Sequence, residues 1–190
     1  MLSVCYSVKN RTNYQSHLGV LTLLSDSVES VEESCSELNI PFEIVIADWK
    51  STDTDYNWLA ESHTIMGVEC NDDEFSRGGG LNIAAENSQY NNLLFLDSDM
   101  LVNAKFISRC LDTTSHGVGY FPICWSLAEQ DKDIARTFLG NDDLPNIDYA
   151  SARLKPEDTH PEISGWRECG KGMCCVTREQ WSSVGGWPVY

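Results

Sequence analysis

Residues 93–102 read LLFLDSDMLV. A continuous apolar run of four residues, Leu93 to Leu96, suits a strand buried on both faces, the kind that fills a parallel sheet. The run ends on Asp97-Ser98-Asp99. Residues two apart on an extended chain point the same way, so the spacing predicts both carboxylates on one side of the strand end. Two such carboxylates suit a hard divalent cation, Mg²⁺ or Mn²⁺, which takes oxygen ligands and keeps positions open for phosphate oxygens. The plainer alternative is a solvated turn that carries two acids.

Outward from this strand the chain alternates strand and helix. Residues 2–8 are apolar and β-prone, and a polar stretch, 9–13, follows them. Residues 17–24 have helical spacing, and the acidic run 27–37 reads as a solvated helix that stops near Asn39-Ile40-Pro41. Residues 42–47 (FEIVIA) form a second buried-strand run, ending at Asp48. A short helix over 53–61, a strand over 64–68 and a helix over 81–88 lead into the strand at 92–96. The expectation is an α/β fold, a three-layer sandwich with a mostly parallel central sheet. Open sheets of this kind bind ligands beyond the carboxyl ends of their strands, where Asp48 and Asp97 fall. Beyond residue 103 the pattern loosens: a helix at 105–111, a strand at 117–123, an irregular polar stretch at 126–164, then a strand at 172–177 and a helix at 178–184. The organisation expected is one domain over 1–190, with 1–103 as one half and 104–190 as the other.

Composition narrows the partners. The chain has 190 residues, with 13 Lys+Arg against 29 Asp+Glu, a formal net charge of −16. Such a surface repels nucleic acid, so no nucleic-acid partner is expected. No apolar run approaches the roughly 20 residues of a membrane-spanning helix. The eight cysteines contain no C-x-x-C pair, and the first residues show no signal peptide. They read as buried, reduced thiols, and the setting expected is cytoplasmic, in a bacterial or viral host cytosol.

Two further stretches carry chemistry. FSRGGGLNIAAEN, residues 75–87, places three glycines and Arg77 at a helix start. Glycines permit close backbone approach to a ligand, and a helix N-terminus favours anions; the alternative is a flexible loop that merely opens a helix. In FEIVIADWKSTDTD, residues 42–55, Asp48 ends a strand and can accept from a base N–H. Ser51, Thr52 and Asp53 read as caps of the next helix. The Lys9-Asn10-Arg11 loop either meets ribose or phosphate or is simply solvated.

Taken in order, these pieces resemble the GT-A glycosyltransferases, especially the inverting galactosyltransferase and chondroitin-polymerase-like branch. The pieces are the strand before Lys9-Asn10-Arg11, the strand ending at Asp48, Arg77-Gly-Gly-Gly-Leu-Asn, Asp-x-Asp at 97–99, and the late strand and helix closing on Gly185-Gly186-Trp187. The resemblance implies transfer of a sugar from a nucleoside diphosphate sugar, a UDP-sugar in particular, to the hydroxyl of a glycan or other acceptor, with inversion and with Mn²⁺ or Mg²⁺. It places Asp48 at the base, Arg11 and Arg77 near the nucleotide or diphosphate, Asp97 near ribose or sugar and beside the metal, and Asp99 on the metal. The Trp-Gly-x-Glu-Asp stretch that supplies the acceptor base in such enzymes has no counterpart in residues 1–190. Glu168 and Glu162 are the candidate stand-ins, with Asp142 and Asp143 behind them, and His160 is either a third metal ligand or a solvated loop residue. The rival readings are a non-catalytic nucleotide-sugar or glycan-binding domain and a sugar nucleotidyltransferase. The latter normally opens with a glycine-rich basic loop after its first strand, and KNRTN has no glycine. A haloacid-type phosphatase also uses Asp-x-Asp, but wants Thr or Val where this chain has Leu101.

Overall fold

The structure, a computed structural model, describes residues 1–16, 19–53, 65–70, 74–122, 124–126, 165–167 and 173–189. The chain divides into two compact units, Met1–Tyr120 with Gly172–Tyr190, and Phe121–Lys171.

The first unit is built on a five-stranded sheet. Its central strand is β1 (Leu2–Val8), flanked in parallel by β4 (Phe42–Asp48) and β6 (Asn92–Phe95). β5 (Ile65–Glu69) adds in parallel outside β4, and β9 (Cys174–Thr177) adds antiparallel outside β6. Val4 is in register with Ile44 on one side and Leu94 on the other. All three are fully buried, as strands covered on both faces must be. The α/β class and the mostly parallel sheet expected from the sequence are both present.

Before α1 (Leu23–Glu37) the chain makes a small hairpin, β2 (Tyr14–Ser16) with β3 (Gly19–Leu21). The helical reading of 17–24 is therefore corrected: 19–21 are extended and the helix begins at Leu23, while 17 and 18 lie outside the described residues. A short apolar run has no decisive period, and the pairing with β2 decides it. The helix expected at 53–61 lies, beyond its first residue, outside the described residues. α3 (Ala104–Ser115) packs beside α1, and α4 (Arg178–Ser183) opens on a capping box between Thr177 and Gln180. Of the strand expected over 117–123, residues 117–122 show one bridge, Tyr120 with Cys175, and 123 lies outside the described residues. In the second unit, β7 (Cys124–Ser126) pairs antiparallel with β8 (Gly165–Arg167), Trp125 opposite Trp166. No described helix is long and apolar enough to cross a membrane.

The helix α2 (Arg77–Asn87) starts four residues before the expected 81, inside the glycine run. Ser76 caps it, its Oγ accepting from the Gly79 amide at 3.1 Å. Glycine inside a helix costs about 1 kcal/mol relative to alanine, and packing supplies the reason for keeping it here. A Cβ on Gly80 would overlap Ser7 Oγ and sit 2.6 Å from the indole nitrogen of Trp49. A Cβ on Gly78 would overlap the carbonyl oxygen of Pro188. The run thus lets α2 lie directly on β1, on Trp49 and on the returning C-terminal segment.

The described free cysteines, Cys5, Cys35, Cys70, Cys110, Cys174 and Cys175, are all buried. Burial pushes the Cys35 thiol up to about 11 and the Cys174 thiol up to about 12, which keeps both protonated and unreactive at neutral pH.

Gly80→Ala should lower stability by about 1–3 kcal/mol through overpacking. Gly67→Ala is its control, because a Cβ there meets nothing within 4 Å. Urea denaturation of both variants checks this; equal midpoints would mean that α2 can lift off the sheet freely.

Candidate active site

The strand order β5-β4-β1-β6 reverses direction about β1, since β4 leaves it on one side and β6 on the other. In open parallel sheets the crevice at such a reversal, beyond the carboxyl ends, is where ligands sit. Arg11 and Asp97 lie in the segments that follow β1 and β6, Asp48 is the last residue of β4, and the start of α2 carries Arg77.

The loops after β1 and β4 are tied to each other. Asp48 accepts the Ser51 amide at 3.1 Å, Ser51 Oγ accepts the Asn10 amide at 2.9 Å, and Asn10 Oδ1 accepts the Thr52 amide at 2.8 Å. Asp53 Oδ2 accepts the amides of Thr12 and Asn13 at 3.1 and 3.2 Å. Asn10 and Lys50 both take left-handed backbone, each with φ 53°. Ser51, Thr52 and Asp53, read from the sequence as helix caps, thus serve to join two loops. Asp48 spends a carboxylate oxygen closing its own turn.

The chain leaves β6 at Phe95 and bends at once. The Met100 amide donates to the Asp97 carbonyl at 3.2 Å, so Asp97 to Met100 form a turn. The extended geometry expected at Asp97-Ser98-Asp99 is therefore absent: Ser98 is buried and Asp99 exposed. Asp97 Oδ1 is taken by Arg77, which donates from Nε at 2.7 Å and approaches with Nη2 at 2.5 Å. Burial pushes the Asp97 carboxyl up from its ordinary 3.8, Arg77 pulls it down, Asp99 raises it and Arg11 lowers it. Those influences bring Arg11, Arg77, Asp97 and Asp99 into one electrostatic group.

Arg77 also lies over the Trp187 ring, 5.8 Å from its centroid. Trp187 stands edge-on to Phe95 at 5.4 Å. Asn82 holds it by its backbone: Nδ2 donates to the Trp187 carbonyl at 2.9 Å, and Oδ1 accepts the Trp187 amide at 2.8 Å. Gly186, at φ 78°, permits this approach. The indole N–H of Trp187 is buried without a hydrogen-bond partner among the described residues. Arg178 anchors the far end of α2, donating to the carbonyls of Ala85, Ser88 and Tyr90 at 2.8 to 3.0 Å. The sequence reading missed Asn82 and Arg178. An asparagine on the buried side of a helix is the one signal that marks the first.

Two carboxylates in one turn suit a Mg²⁺ or Mn²⁺ that completes its shell with water and phosphate oxygens, since such ions need only one or two carboxylates from protein. Asp99 is exposed and Asp97 keeps its second oxygen, so the donor set fits. No larger group of His, Cys, Asp or Glu suited to a metal occurs among the described residues. Glu168, Glu162, Asp142, Asp143 and His160 lie outside the described residues.

A family model described as chondroitin N-acetylgalactosaminyltransferase matches residues 22–187. Chondroitin sulfate N-acetylgalactosaminyltransferase 2 of Mus musculus is 28% identical over 147 residues, 73% of this chain and 23% of that protein. Chondroitin sulfate synthase 3 of Homo sapiens is 34% identical over 117 residues, 60% of this chain and 12% of that protein. The chain therefore spans less than a quarter of the length of these relatives. The crystal structure of S. aureus TarS 1-349 is 18% identical and overlays with a TM-score of 0.46, covering 64% of this chain and 34% of that one. The bacterial or viral cytosolic setting expected from the sequence is corrected: these curated relatives are mammalian chondroitin sulfate enzymes.

The Asp97 carboxyl is raised in the folded state, mainly by burial. The folded protein then binds that proton more tightly than the unfolded chain, so this contribution to stability falls as pH rises from 3.8 through the raised value. The difference in urea midpoint between Asp97→Asn and the parent should move in the variant's favour as pH rises from 4 to 7. Movement towards the parent would show that pairing with Arg77 outweighs burial.

Proposed function

We propose, on the premise that this chain belongs to the chondroitin N-acetylgalactosaminyltransferase family, that it carries the donor site of a metal-dependent glycosyltransferase. The donor is a UDP-sugar, with N-acetylgalactosamine as the sugar named by the family. The acceptor is a glycan hydroxyl. One observation carries the reading: Arg77 pairs with Asp97, and Asp99 and Arg11 also act on the Asp97 carboxyl, at the point where the strand order reverses. A chain of net charge −16 gathers two guanidinium groups at the one place where a diphosphate would need them.

In this reading Arg77 binds the diphosphate with its guanidinium while Asp97 holds its fork in place. Arg11, exposed beyond β1, adds a second cation near the phosphates. Asp48 faces the base. Asp99, with Asp97 beside it, would hold Mn²⁺ or Mg²⁺, which would stabilise the charge of the departing diphosphate. A carboxylate, Glu168 or Glu162, would take the acceptor proton, and direct displacement would invert the anomeric centre. The single-domain organisation, with a donor half over 1–103 and an acceptor half over 104–190, belongs to the same proposal.

Calorimetric titration of UDP and UDP-N-acetylgalactosamine, with and without Mn²⁺, tests it. The parent should bind both nucleotides more tightly with Mn²⁺. Asp99→Ala should lose that metal-dependent gain while unfolding at the parent's urea midpoint, since Asp99 is exposed. Undiminished metal-dependent binding by Asp99→Ala would remove Asp99 from the site.

A further inference from the structure

Helix α1 buries three serines, Ser27, Ser30 and Ser34, where a helix facing a core ordinarily carries aliphatic side chains. Their spacing of three and four residues puts them on one face. All three face the segment that leaves the Asp97–Met100 turn, Ser34 Oγ reaching the Val102 carbonyl at 3.4 Å. Ser27 Oγ donates to the Met100 carbonyl at 2.6 Å, and Ser30 Oγ accepts the Val102 amide at 3.1 Å. Residues 100–102 thus obtain from helix side chains the backbone hydrogen bonds that a neighbouring strand would otherwise give.

Both hydroxyls are fully used. Ser27 Oγ donates to Met100, so at 2.9 Å it accepts from the hydroxyl of Tyr6, a wholly buried residue of the central strand β1. Ser30 Oγ donates to the Ser27 carbonyl at 2.7 Å while it accepts from Val102. A directed chain runs from Tyr6 through Ser27 to Met100. The turn is held at its entry as well, where the Leu96 amide donates to the Cys5 carbonyl at 3.1 Å. Both tethers lead back to β1, through neighbouring residues 5 and 6. Asp99 is exposed and lies in the chain between the two anchored residues, Leu96 and Met100, so its position relative to Asp97 and Arg77 depends on the exit tether.

We infer that Tyr6, Ser27 and Ser30 are positioning residues that hold the Asp97–Met100 turn so that Asp99 and Asp97 present their carboxylates to a single cation. The inference rests on the proposed donor site. Tyr6 and the serines touch neither nucleotide nor metal; they act through the backbone of residues 100 and 102. Small errors in such placement are expensive, as a shift of about 1 Å in a reacting constellation can lose about 100-fold in rate.

The test uses Tyr6→Phe, which removes one hydroxyl and keeps the ring, alongside Ser27→Ala. The control is Thr114→Val, which removes a buried hydroxyl bonded only within its own helix, to the carbonyls of Cys110 and Leu111 at 2.9 and 3.1 Å. The readouts are UDP binding by calorimetry with and without Mn²⁺, the electron paramagnetic resonance spectrum of Mn²⁺ bound with UDP, and the urea midpoint. Tyr6→Phe and Ser27→Ala should weaken Mn²⁺-dependent UDP binding about 10-fold and broaden the Mn²⁺ spectrum, leaving metal-free UDP binding unchanged, while Thr114→Val loses stability alone. Parent-like metal-dependent binding by Tyr6→Phe, or an equal loss in Thr114→Val, overturns the positioning role and leaves the donor site intact. A parent with no Mn²⁺-dependent UDP binding overturns both.

Discussion

A helix with three consecutive glycines in its first turn can lie against a sheet more closely than one with side chains there, and that contact governs the molecule. Gly80 brings the backbone of α2 onto Ser7 and Trp49, and Gly78 brings it under the carbonyl of Pro188. Arg77 immediately precedes this contact, so its guanidinium is delivered to the end of β6, where Asp97 waits. Asn82, one turn further on, holds the Trp187 backbone by both its donor and its acceptor, and Trp187 returns the favour by lying under Arg77. A side chain at Gly80 would push the helix off the sheet, and one at Gly78 would push it off the C-terminal segment.

The electrostatics follow from that placement. Asp97 is half-buried between a cation that lowers its proton affinity and a protein interior that raises it, and burial has the larger effect. Exposed acids elsewhere exert little force over distance at physiological salt. The two arginines near the turn therefore matter more than the net charge does.

Most of the sheet was legible because its strands are short continuous apolar runs that end on acids. Residues 42–47 and 92–96 were placed correctly to within a residue, and Asp48 and Asp97 fell at the expected ends. The hairpin at 14–21 was not legible, since Gly19 to Leu21 has no period of its own and takes its conformation from a partner strand. The glycine run was read as room for a ligand; its space is filled by Ser7, Trp49 and Pro188, and none of those neighbours is nearby in sequence. The same holds for Ser51 and Asp53, which bond to a loop about forty residues earlier. Pattern along a chain reports local preference, and these residues answer to contacts that only the folded chain creates.

Tyr120 and Cys175 exchange both of their backbone hydrogen bonds, each at 2.8 Å. The chain leaves the sheet unit at one and re-enters at the other, so the intervening stretch is an excursion whose two ends are fastened together. For a stretch already that long, doubling the number of residues between fixed ends adds only about 0.6 kcal/mol of closure entropy. A change of length between Tyr120 and Cys175 therefore costs the strands, the Asp97 turn and Arg77 little, since the closing pair of bonds stays the same. A single pair of backbone bonds thus works as a clasp, joining the point where the chain departs from the sheet to the strand on which it returns.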